Sequence, residues 1–144
     1  MYRKFIPSFF LCMATVSAYA TDLRVGQVWS YKTRPSEPQS TLTILRIENY
    51  HDLGSVIHIR VDRIKMTNPI KGNIVTDIPH LPFQEQAIQQ SITKLSRTDA
   101  SVPPFEEGYN TWKQAYLQGQ AGAFETDLAS TLTAMLGAEW KEQK

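Results

Sequence analysis

His58, Arg60 and Asp62 alternate along one stretch of the chain. On a β-strand, where alternate Cα atoms stand about 6.6 to 7 Å apart, they form one row on one side of a sheet. An imidazole flanked by a guanidinium and a carboxylate can pass protons or hold a small anion, so the row is a candidate for acid–base chemistry. A solvated strand face has the same composition, and the row reads first as that: His58, Arg60 and Asp62 outward, Ile57, Ile59 and Val61 toward covering helices. A slip of one residue would bury three polar groups and expose three aliphatics. A hydrolase using His58 and Asp62 is the alternative, and it requires an enclosed cleft around His58.

A second constellation is Phe105, Tyr109, Trp112 and Tyr116, whose +4, +3, +4 spacing draws one aromatic stripe along a helix. Such a stripe buries a large apolar area, so it reads as the face that docks the helix on the sheet, opposite Trp29 and Tyr31. The other reading is a wall of a ligand cleft, with Tyr109 and Trp112 as binding candidates beside His58, Arg60 and Asp62. Gly108, inside the stripe, lets the helix come close to the sheet.

The remaining candidates carry less. Glu106 and Glu107 are adjacent and point about 100° apart on a helix, so they read as first-turn acids that complement the helix dipole rather than as a catalytic pair. His51 falls in a turn and His80 between prolines, without metal-ligand spacing. There is no glycine-rich phosphate loop, no Gly-x-Ser-x-Gly and no His-Glu-x-x-His. No catalytic residue, metal or cofactor is assigned.

The elements that must position these residues run strands first, helices second, which is α+β order. Val28 to Thr33, Thr41 to Tyr50 and Val56 to Met66 read as strands, with Ile74 to Ile78 as a short fourth that Pro79 stops. In the second, Leu42, Ile44 and Arg46 alternate with Thr43, Leu45 and Ile47, and apolar residues on both sides imply a strand covered on two faces or bulged. Pro82 opens a helix from about Phe83 to Ser96, its inner face marked by Phe83, Ala87, Ile88, Ile92 and Leu95. A second helix runs from Phe105 to Gly119. A third starts after Thr126 as N-cap, carries Leu128, Leu132, Met135 and Leu136 inward and ends at Gly137. The expectation is a three- or four-stranded antiparallel meander followed by two or three helices packed on one face.

The first 20 residues read as a secretory signal peptide: Arg3 and Lys4, an apolar run from Phe5 to Val16, then Ala18-Tyr19-Ala20 before a cleavage at Thr21. The run is shorter than the about 20 residues a spanning helix needs. Leu11 before Cys12 is too bulky for a lipoprotein signal, so no stable membrane anchor is expected after cleavage. Of 144 residues, 124 would remain, as a single α+β domain over 21–144. Losing Arg3 and Lys4 turns the net charge of +1 into −1, which argues against nucleic acid as a partner. The one cysteine leaves with the leader, so the remaining chain has no disulfide and no thiol nucleophile.

The segments Val25-Gly26-Gln27-Val28-Trp29-Ser30-Tyr31, Ile78-Pro79-His80-Leu81-Pro82-Phe83 and Glu107-Gly108-Tyr109-x-x-Trp112-Lys113, on to Gly119-x-Ala121-Gly122-x-Phe124, resemble an uncharacterised family of small, mostly bacterial proteins. The resemblance covers most of the chain after the leader. It implies a bacterial origin and hence a periplasmic or secreted protein, and supplies no activity or site residue. The function expected is a non-catalytic binding or interaction module, its partner an envelope protein or a small ligand. An inhibitor or immunity-type protein blocking an envelope partner is the alternative of a second class.

Overall fold

The computed structural model describes residues 20–68, 70–98 and 100–141. The expected signal peptide, Ala20 apart, lies outside the described residues. Five strands form one antiparallel sheet in the order β4-β3-β2-β1-β5: β1 (Val28–Tyr31), β2 (Thr41–Tyr50), β3 (Gly54–Thr67), β4 (Ile74–Gln84) and β5 (Ile92–Arg97). Three helices accompany it: α1 (Glu85–Ser91), α2 (Glu106–Leu117) and α3 (Leu128–Lys141). The class is α+β, with five strands rather than three or four.

The difference lies in the stretch expected to be one helix from Phe83 to Ser96. Phe83 belongs to β4, opposite Ile57, and Pro82 stands opposite His58. Pro79 does not stop β4, because β4 has a ladder on one side only and a proline there costs no required N–H. Only Glu85–Ser91 is helical, after which Ile92 pairs with Tyr31 and Leu95 with Trp29 at the far edge of the sheet. The meander is therefore completed by a fifth strand that has crossed over the sheet.

β2 is both bulged and covered on two faces. Ile44 pairs with Ile59 and Arg46 with His58, so Leu45 is the extra residue. Without it, Arg46 and Glu48 would continue the inward row of Leu42 and Ile44. With it, Ile47 opposite Ile57 takes the inward place, and Arg46, Glu48 and Tyr50 share the other face with His58.

The first face carries the main core. Trp29, Tyr31, Leu42, Ile44, Ile57, Ile59, Val61, Leu81 and Phe83 pack with Ala87 and Ile88 of α1 and Leu128 and Leu132 of α3. The Ser91 hydroxyl ties the two helices, accepting from the Leu128 N–H at 2.9 Å. The α3 N-cap is Asp127, one residue beyond Thr126, whose carboxylate accepts from the Ser130 N–H at 3.0 Å. α3 continues through Gly137 to Lys141; the side chain of Leu136 lies outside the described residues. α2 covers the opposite face, so the helices flank the sheet on both sides rather than on one. Its aromatic stripe meets β2, β3 and β4, and not Trp29 and Tyr31, which point into the first face.

Candidate functional site

The register of β3 is the expected one, but its second face is not solvated at His58. His58 is 0% exposed, enclosed by α2. Tyr109 and Trp112 meet the imidazole edge-on, with ring centroids 5.1 and 4.9 Å away, and His80 from β4 stacks on it at 5.1 Å. Outwardness survives only in part further along the row, where Arg60 and Asp62 are half-buried. Arg60 donates to Asp62 at 2.9 Å and to Asp77 at 2.8 Å. The row therefore splits, with Asp62 serving Arg60 while His58 joins a different group. The outward expectation fails at His58 because a polar strand face is not necessarily a wet one: Tyr109 and Trp112 of α2 cover it.

His58 Nδ1 lies 2.9 Å from His80 Nε2, and His58 Nε2 lies 3.6 Å from Glu48 Oε1 without a hydrogen-bond partner of its own. A bare nitrogen lone pair toward a carboxylate would be repulsive, so the proton of neutral His58 sits on Nε2. Nδ1 then accepts from the His80 Nε2–H, and His80 Nδ1 is left as an acceptor with no protein partner among the described residues. The chain runs from Glu48 through His58 to His80. Burial first, then the neighbouring His80, pushes His58 down to about 4 against the opposing pull of Glu48. Burial also lowers His80. Both imidazoles are neutral at pH 7.

Glu48 is held from the α2 side. The Tyr109 hydroxyl donates to it at 2.5 Å, Arg46 pairs with it at 3.0 Å and Lys113 stands 3.7 Å away. Burial pushes its carboxyl up, but hydrogen bonds from Tyr109 and Tyr50 and the charges of Arg46 and Lys113 carry it net below the ordinary value. Burial and the bond to Glu48 push Tyr109 up to about 12, so the phenol stays protonated and donating. Lys113 donates to Tyr50 at 2.8 Å, and Tyr116 to Asp52 at 2.6 Å. These bonds pin α2 to β2 and to the turn that follows it.

Gly108 lets α2 come this close: a Cβ there would stand 3.0 Å from His80 Cβ. Beyond this contact the gap between α2 and β4 opens into a groove of about 1200 Å³. Its walls are apolar, with Phe105, Trp112 and Phe124 as the large surfaces and Pro79, Pro82 and Pro104 between them. The segment behind Phe124 is fixed by a bridge to β4, Phe124 N–H to Pro82 O and Gln84 N–H to Phe124 O, each at 2.9 Å, and by Trp112 Nε1–H to Gly122 O at 2.8 Å. His80 lies in the floor, with Arg60, Glu106 and Glu107 around it.

Of the five candidate residues, Trp112 and Arg60 line the groove, His58 and Tyr109 lie behind it, and Asp62 reaches it only through Arg60. Sequence reasoning missed Glu48 and His80. The bulge that turns Glu48 toward His58 has its signal in the apolar residues on both sides of β2. His80 has none, since its proline neighbours suggest a turn. Among the described residues no three His, Cys, Asp or Glu side chains converge as metal ligands, and no described helix is long and apolar enough to cross a membrane. No protein-family model, curated protein or solved structure matches the chain.

Proposed function

We propose that the protein is a non-catalytic binding module of the bacterial envelope, exported by its N-terminal leader, with its ligand held in the groove between α2 and β4. The groove itself carries this reading. It is a concave apolar surface somewhat larger than the about 300 to 1,000 Å³ of small-molecule sites, with a few polar groups to orient an occupant. Hydrogen bonds fix its frame, Trp112 to Gly122 and Phe124 to β4.

Gly122 provides the test, because a Cβ at this position would meet nothing within 4 Å and its backbone is unstrained for a side chain. Gly122→Trp is expected to fill the groove while leaving the fold intact. The neutral dye N-phenyl-1-naphthylamine should brighten with the wild-type protein and not with this variant, and envelope components captured by the wild type should be lost with it. Equal dye binding by a folded variant would remove the groove from the function.

A second reading rests on one observation. The Glu48–His58–His80 chain ends at the groove, as a proton relay to a bound water would, which favours a hydrolase with His80 in place of Asp62 as the partner of His58. Turnover of p-nitrophenyl esters that disappears in His80→Gln would establish it over the binding reading.

A further inference from the structure

The chemistry of the groove's polar groups selects its occupant. Arg60, the one cation among the described lining residues, is already neutralised by Asp62 and Asp77. Glu106 and Glu107 are exposed, and among the described residues no cation lies within ion-pairing distance of either. His80 presents an acceptor nitrogen. Pro79 and Pro82 remove two N–H donors from the neighbouring stretch of β4. The groove thus offers acceptors and net negative charge over apolar walls, and its one lining cation, Arg60, is already paired.

We propose that the groove binds a short polypeptide segment carrying apolar side chains and a lysine ammonium, the apolar side chains on Phe105, Trp112 and Phe124 and the ammonium at Glu106 and Glu107. A peptide supplies backbone N–H donors for His80 and the wall carbonyls as well as the charge. The groove is also more spacious than one drug-sized molecule needs, and is flanked by strand β4 and by residues 121–124, which bridge to it at Phe124. This rests on the groove being the ligand site.

Calorimetric titration of the isolated protein with a capped hexapeptide of leucine, proline and lysine tests it, beside the same peptide with glutamate for lysine, and octylamine as a small apolar cation. The lysine peptide is expected to bind at least about tenfold tighter than the glutamate peptide, and tighter than octylamine. Glu106→Gln with Glu107→Gln should remove most of the tenfold preference while the variant keeps the circular dichroism spectrum of the folded protein, since both side chains are exposed. Equal binding of the two peptides, or a preference unchanged in the double variant, overturns the charge assignment. Octylamine binding as tightly as the lysine peptide overturns the polypeptide. If no peptide binds while Gly122→Trp still abolishes dye binding, the peptide inference fails and the groove stands; if the dye also fails to bind, both fall.

Discussion

His58 keeps a neutral imidazole in a fully enclosed site, and this sets how the protein responds to acid. Its pKa is about 4 when folded and about 6.5 in an unfolded chain. Between those values the unfolded state binds more protons, so stability is full above pH 6.5 and declines as pH falls toward 4. Complete loss of this contribution amounts to about 3 kcal/mol. His80, lowered in the same direction, adds to the slope. Urea unfolding at pH 7 and pH 4.5 should show the decline, and His58→Leu should flatten it by more than half. A variant with the wild-type pH dependence would show that His58 does not carry the effect. The sequence disclosed that His58, Arg60 and Asp62 share a strand face. What it could not disclose is which of the three is covered, because α2 approaches from far along the chain and buries only the end of the row nearest Tyr50.

α2 is the element whose sequence was most legible, since a +4, +3, +4 run of aromatics forms a single stripe only on a helix. Tyr109 and Trp112 at its centre are buried, while Phe105 and Tyr116 at its ends are half-buried. Trp112→Ala removes the contacts to His58, Tyr50 and Tyr116 and the bond to Gly122, and should destabilise by about 3 to 5 kcal/mol in urea unfolding. Melting within error of wild type would free Trp112 from the core. Gly108→Ala tests the helix–sheet approach. Alanine gains about 1 kcal/mol of helix propensity, but its Cβ meets His80 Cβ, which is anchored to the β4 backbone and cannot swing away. The expected sum is destabilisation by about 1 to 2 kcal/mol; stabilisation would mean that α2 shifts freely. The stretch from Phe83 to Ser96 misled for an equally physical reason. Phe83, Ala87, Ile88, Ile92 and Leu95 fit a helical face, yet Phe83 is claimed by Ile57 in β4 and Ile92 by Tyr31 in β5, and ladder partners outweigh local periodicity.

For the molecule as a whole, the described residues contain no cysteine, so packing, hydrogen bonds and ion pairs such as Lys113 with Glu48 hold the two helical layers to the sheet. Protein isolated from a bacterial envelope fraction should have the intact mass of a chain beginning at Thr21; the mass of the whole 144-residue chain would refute the leader. The sequence by itself determined the α+β class, the strands from Thr41 to Thr67, the register that sends Ile57, Ile59 and Val61 inward and the extent of α2. All of these follow from alternation, helical spacing and turn chemistry, which act between near neighbours. Only the tertiary structure decided that helices cover both faces, that β5 closes the far edge and that His58 is buried between His80 and Glu48. Only it opened a groove between α2 and β4. Each of these depends on which distant segment fills a given place, and a long-range packing choice leaves no periodic mark on the segments that make it.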